Sequence, residues 1–194
     1  MMWNSSLTQY ISELSRLMQT TSGTDGSGVP LHINSAADHV VNMIVEINRK
    51  SKKVLLIGNG GSAAIVSHVQ NDLCKAVGVR AMVFTEQPLL TAYSNDYGYE
   101  SAYDKPTQLW ADEGDLMIAV SSSGQSQNIL SAVKTARAKG CTIVTFSGFE
   151  HDNSLRTLGD INFHVDSQNY GFVETCHAGL THCITDKAMA LLAQ

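Results

Sequence analysis

Apolar positions follow two different rhythms along this 194-residue chain. Near the start, Leu7, Ile11, Leu14 and Leu17 recur at helical spacing, and Ala37, Val40, Val41, Ile44 and Ile47 repeat the pattern. Both segments read as amphipathic helices. Between them lies TTSGTDGSGVP, whose Gly, Ser and Pro content predicts a flexible connector. It is not a domain linker, because the segment before it is too short to fold alone. The two helices are expected to pack on the main body or on a partner subunit.

From residue 54 onward the apolar residues form short runs separated by longer helical stretches. Five strands are predicted: Val54–Gly58, Ala81–Phe84, Leu116–Val120, Thr142–Phe146 and Ile161–Val165. The first four are nearly all apolar, as parallel strands covered on both faces are, whereas INFHV alternates and suits an edge strand. Helices are predicted at Ser62–Ala76, Gln127–Lys139 and Val173–Leu192, with a short one around Asn153–Leu158. This alternation specifies an α/β fold, a doubly wound five-stranded parallel sheet with right-handed crossovers, preceded by two N-terminal helices. A single domain over residues 1–194 is expected, with 1–50 as the helical pair. Ligands of such sheets bind at the carboxyl ends of the strands, beside a topological switch point.

Composition narrows the partners. Apolar residues make up 43% of the chain and charged residues 16%, against a usual charged share of about 25%, so burial is extensive and part of it is expected between subunits. A net charge of -5 offers no basic field for a phosphate backbone, and nucleic acid is not an expected ligand. Cys74, Cys141, Cys176 and Cys183 show no CxxC spacing, which predicts free thiols in a reducing, cytoplasmic compartment. The opening residues, MMWNSSLTQYISELSRLMQ, lack a basic n-region, a continuous apolar stretch and an AxA-like site, so no secretory signal is expected. No apolar run reaches the roughly 18 residues of a membrane span.

Two loops carry phosphate-type chemistry. Gly58-Asn59-Gly60-Gly61-Ser62 follows a predicted strand and opens a helix. Its glycines let the backbone approach a ligand, and the free N–H groups of the first helical turn attract an anion. Ser121-Ser122-Ser123-Gly124-Gln125-Ser126 stands in the same strand-loop-helix context, with four hydroxyls that form a neutral phosphate cradle. Gly58-x-Gly60-x-x-Ala63 also matches a dinucleotide fingerprint, with Glu86 as the ribose acid. That acid falls 28 residues after Gly58, and a dinucleotide would not need a second serine-rich loop, so a sugar phosphate ranks above a nicotinamide cofactor.

His68 and Asp72 are spaced i, i+4 on the helix that begins at Ser62, on one face and about 6 Å apart along the axis, able to share a metal or a proton. In the last helix Glu174, His177 and His182 crowd together with Cys176 and Cys183. The two cysteines and two histidines cannot converge from one helix, so core-facing cysteines are expected there.

The GNGGSA turn, the Ser-Ser-Ser-Gly-Gln-Ser cradle, Asn95-Asp96-Tyr97-Gly98 and Glu174-x-x-His177-x-x-x-x-His182 together resemble the sugar isomerase (SIS) domain family, and within it the phosphoheptose isomerases. The resemblance spans nearly the whole chain and implies a flavodoxin-like SIS fold. It implies that Asn59, Gly60, Gly61, Ser62, Asn95, Asp96, Ser121, Ser122, Ser123 and Ser126 contact substrate, together with Asp72 and Glu174. His68, Asp72, Glu174 and His182 fall on the family's zinc positions, and Asp72 and His182 on its acid/base pair. The implied reaction converts sedoheptulose 7-phosphate to D-glycero-D-manno-heptose 7-phosphate through an enediol, in a homotetramer with active sites between subunits. The alternative within the same fold is a non-catalytic, phosphosugar-binding regulator or a protein that associates with a replication initiator. Asp72 stands where the family usually has Glu, Glu174 where it has Gln, Ala76 where it has Arg, and Gly171 where Asp is common. On one continuous helix Glu174 and His182 would lie about 12 Å apart axially. Either that helix starts after Glu174 or the site draws the two from different chains.

Overall fold

A computed structural model of the chain describes residues 6–193; the first five residues of the segment judged not to be a secretory signal lie outside them. Helix α1 (Leu7–Thr20) opens with a capping box: the Gln9 backbone N–H donates to Ser6 Oγ, and the Ser6 N–H donates to Gln9 Oε1 at 2.9 Å. Strands β1 (Ser22–Asp25) and β2 (Pro30–Leu31) form a hairpin, followed by α2 (Ile33–Arg49). Then come β3 (Val54–Gly58), α3 (Gly61–Asn71), β4 (Ala81–Val83), α4 (Gln87–Tyr97), α5 (Asp104–Trp110), β5 (Leu116–Ser121) and α6 (Gln127–Ala138). The chain ends with β6 (Thr142–Gly148), β7 (Ile161–Val165) and α7 (Tyr170–Leu192). No helix among the described residues is long and apolar enough to cross a membrane.

The seven strands form one sheet in the order β2-β1-β7-β6-β5-β3-β4. Its parallel part, β4-β3-β5-β6-β7, contains the five expected strands in the flavodoxin-like order. Alternate residues serve opposite faces. Val54, Leu56, Leu116, Ile118 and Val120 pack against α2, α3 and α7, whereas Leu55, Ile57, Met117 and Ala119 meet Ile129, Ala132 and Val133 of α6.

Three expectations are corrected. The sheet has seven strands, not five, because the supposed connector contains the β1–β2 hairpin, and β1 pairs antiparallel with β7. SGTD and PL carry no apolar alternation; backbone pairing holds them. Consequently β7 is interior and not an edge, with all five residues buried. Its Asn162 is satisfied inside the protein: Oδ1 accepts from Thr145 Oγ1 at 2.7 Å and from the Gly159 N–H at 2.9 Å. Finally, Cys176 is buried but Cys183 faces outward. All four thiols are free.

The predicted Ser62–Ala76 helix changes winding on the way. α3 ends at Asn71 and continues as a π-helical turn over Asp72–Val77, closed by Gly78 in the left-handed region. Wider turns of this kind recur at functional sites. The short helix near residue 155 is a 3-10 turn, Ser154–Thr157.

Candidate active site

β3 and β5 lie side by side, and the chain winds outward from them in opposite directions: to β4 on one side, to β6 and β7 on the other. This is the switch point, and the Gly58 and Ser121 strand ends open into its crevice. Gly60, with φ +54°, is the N-cap of α3, while Ser126 is the N-cap of α6. Two helix N-termini therefore flank one crevice.

A cavity of about 100 Å³ there is lined by Asn59, Ser62, Ser121, Ser122, Ser123, Ser126, Tyr170 and Glu174. None of these is a cation. The Ser122 hydroxyl is buried without a hydrogen-bond partner among the described residues, the state expected of a donor reserved for a ligand. Gly124 takes φ +62°, and a Cβ there would collide with Asn153 Oδ1, so the loop shape depends on the absent side chain. Across the crevice Asn59 and Asn128 exchange side-chain hydrogen bonds at 2.9 and 2.8 Å, and the Tyr99 hydroxyl donates to Asn59 Oδ1 at 2.9 Å. Beneath the first loop the Tyr103 hydroxyl donates to the Gly58 carbonyl at 2.5 Å. Burial pushes that phenol up to about 12, so it stays a donor at neutral pH.

The second cluster lies farther along the same helices. His68 Nε2 is 3.6 Å from Asp72 Oδ1, and His182 Nδ1 is 3.2 Å from Asp72 Oδ2. The two imidazoles meet edge to face, with centroids 4.8 Å apart. One ligand atom from each of the three residues lies within 4.8 Å of the others. His68 occupies the last turn of α3, Asp72 the first position of the π-helical turn, and His182 the middle of α7. Packing of α7 against that turn closes the group.

The expected site residues thus separate into groups. Asn59, Ser62, Ser121, Ser122, Ser123, Ser126 and Glu174 line the cup, with Gly60 and Gly61 at the start of α3. His68, Asp72 and His182 form the cluster. Glu174 is not brought into it: α7 is continuous from Tyr170, and the Glu174 carboxylate lies where a Gly61 side chain would point. The option of a helix starting after Glu174 is closed. Asn95 and Asp96 sit exposed on α4, bonded to each other at 2.9 Å, outside the cup lining. Glu86, the candidate ribose acid, is the exposed N-cap residue of α4. Sequence reasoning missed Asn128, Tyr99, Tyr170 and Asn153. Asn128, a fully buried polar residue just after the serine loop, carried the one local signal, its place in a helix first turn.

The SIS domain family model matches residues 9–148. A phosphoheptose isomerase of Burkholderia pseudomallei (strain K96243) is 38% identical over 138 residues, which cover 68% of this chain and 70% of that protein. One from Aliarcobacter butzleri (strain RM4018) is 35% identical over 146 residues, 72% of this chain and 77% of its own. The structure of phosphoheptose isomerase GmhA from Neisseria gonorrhoeae superposes with a TM-score of 0.81 at 22% identity, covering 93% of this chain and 96% of that one, which speaks for the fold. With the sequence and family matches spanning most of its length, the chain belongs to the SIS domain family, among the phosphoheptose isomerases, and is an isomerase.

Proposed function

We propose that the chain interconverts the ketose and aldose forms of a long phosphorylated sugar, sedoheptulose 7-phosphate and D-glycero-D-manno-heptose 7-phosphate. The observation that carries this reading is the pairing of a hydroxyl-lined cup with a His-Asp-His cluster along the same two helices. Glu174 of the cup and His182 of the cluster are eight residues apart on α7, on the order of 12 Å along the axis. That interval favours an extended, open-chain sugar with its phosphate at the far end. The cup would hold the phosphate through serine hydroxyls and the amides of α3 and α6, which explains how an acidic protein binds an anion without a cation in the cup.

At the other end, Asp72 and His182 are the proton-moving pair. One carries the proton from C1 of the ketose to C2, while the other gives a proton to O2 and takes one from O1, a division suited to a carboxylate and an imidazole near neutral pH. His68 aligns Asp72 from the opposite side. The separations of 3.2 and 3.6 Å among the donor atoms suit a divalent metal held by two imidazoles and a carboxylate, with an open position. Zinc bound by His68, Asp72 and His182 would polarise the sugar carbonyl and stabilise negative charge on the enediol oxygens. Glu174 is the expected further ligand, and within one chain it faces the cup instead.

Assembly into a homotetramer, with active sites between subunits, belongs to this reading. It is supported by Leu7 and Ile11 on the outer face of α1, which are 74% and 56% exposed. Four free thiols support a cytoplasmic setting. The test is turnover of sedoheptulose 7-phosphate by the intact protein with and without added zinc, beside fructose 6-phosphate as a shorter ketose. Product from the heptulose phosphate, faster with zinc, is expected. Absence of product under both conditions refutes the substrate assignment.

A further inference from the structure

A second cavity, of about 370 Å³, lies between the β1–β2 hairpin and the 3-10 turn Ser154–Thr157. Thr24, Asp25, Ser27, His151, Arg156 and Thr157 contribute side chains to its wall. It belongs to neither cluster described above. In the sheet, β7 and β6 separate β1 from β5, a distance of roughly 14 Å at the usual strand spacing. The volume is in the range of small-molecule sites.

The wall is electrostatically incomplete. Arg16, Arg49 and Arg137 each have a carboxylate partner. Arg156 is half-buried and has none within ion-pair distance among the described residues. Its guanidinium donates only to neutral oxygens, the His151 carbonyl at 2.7 Å and Ser22 Oγ at 3.2 Å. Burial holds it below the ordinary arginine value, and the charge of Asp166 only partly offsets this. A desolvated cation with no carboxylate in contact is costly, and an anion in the cavity would relieve that cost. Behind it His164, 1% exposed, keeps Nε2 without a hydrogen-bond partner, its ring 5.3 Å from that of His151 on the wall. Asp25 supplies the opposite chemistry. One carboxylate oxygen accepts from the Ser27 and Val29 N–H groups at 2.9 Å; the other is left to accept ligand hydroxyls.

We propose that this cavity is a second ligand site, for a small polyhydroxylated molecule carrying one anionic group, a sugar acid or sugar phosphate. Arg156 takes the anion; Asp25 and the Thr24, Ser27 and Thr157 hydroxyls take the polyol. The same 3-10 turn also holds the serine loop. The Leu155 N–H donates to the Gly124 carbonyl at 3.0 Å, Ser154 Oγ donates to Gln125 Oε1 at 2.8 Å, and the N-cap residue Asn153 abuts Gly124. A molecule that immobilises Arg156 and Thr157 therefore steadies the cup from behind.

Calorimetric titration of the intact protein with gluconate, glucose 6-phosphate and uncharged glucose tests the site. Gluconate or glucose 6-phosphate is expected to bind at least tenfold tighter than glucose, and the tighter of the two identifies the anion. Arg156→Gln should weaken that binding at least tenfold while kcat stays within twofold. Should Arg156→Gln lower the melting temperature, Thr157→Val replaces it and must weaken binding at least threefold. Equal binding of glucose and the anions, unchanged isotherms in the folded variant, or no binding of either anion up to millimolar concentration overturns the proposal.

Discussion

Asn59 and Asn128 bond reciprocally through their side-chain amides, at 2.9 and 2.8 Å, across 69 residues of sequence. One belongs to the glycine loop after β3, the other to the first turn of α6, so the pair fixes the width of the crevice between the two loops. Asn128→Leu removes both bonds and leaves a half-buried amide short of partners. A loss of about 1–3 kcal/mol is expected, with KM for the phosphosugar rising several-fold and kcat changing less. Urea denaturation and steady-state kinetics check this, and a variant with wild-type stability and KM contradicts the clamp.

Asp72 sits between two imidazoles and is the group proposed to move a proton. Asp72→Asn keeps the shape and removes the base, so kcat should fall by about 10²–10⁴. The melting temperature should change little, because Asn has the same shape and the two imidazoles facing it are half or more exposed to water. Activity within a few-fold of wild type would remove Asp72 from the proton-moving pair and leave that role to another group.

Gly124→Ala places a Cβ against Asn153 at a backbone position with φ +62°. Destabilisation of more than about 1 kcal/mol is expected from the backbone alone. Because Asn153 Nδ2 also donates to Ser147 Oγ and the Gly148 and Glu150 carbonyls, it cannot step aside freely. The serine loop should lose its shape and KM should rise more than in Asn128→Leu; parallel kinetics of the two variants decide the order.

His177 is wholly buried, with Nε2 3.0 Å from the Ser147 carbonyl. Burial pushes it down to about 4 from an ordinary 6.5. Below pH 6.5 the unfolded chain binds a proton that the folded one refuses. Stability from this group is therefore complete above pH 6.5 and is lost as pH falls toward 4, a change of about 3 kcal/mol. His177→Gln should be less stable than wild type at pH 7.5 and close much of that gap at pH 5. His164 is lowered by burial in the same direction, so some acid sensitivity persists. Urea midpoints at the two pH values report the difference; parallel curves would falsify the assignment to His177.

Much of the fold was legible because parallel strands buried on both faces must be continuous apolar runs, and VLLIG, LMIAV and TIVTF are such runs. Both loops that line the cup were legible from strand-to-helix context. The β1–β2 hairpin was not, since Ser22, Gly23, Thr24 and Asp25 are held by main-chain bonds that leave no pattern in side chains. INFHV misled for a related reason: Asn162 satisfies its amide with Thr145 and Gly159 inside the protein, where alternation suggested solvent. For the cluster, i, i+4 spacing revealed His68 with Asp72, while the approach of His182 depends on how α7 packs, which spacing alone does not encode. Asn128 had only its place in the first turn of α6 to mark it, because its partner lies in another loop.

The outermost strands have a consequence for assembly. One margin of the sheet ends in β2, two residues long and begun by Pro30, and the other in β4, three residues long. Neither offers a usable row of free backbone groups to another chain. Short margins of this kind disfavour strand addition among the described residues, which points to contacts other than sheet extension wherever copies join.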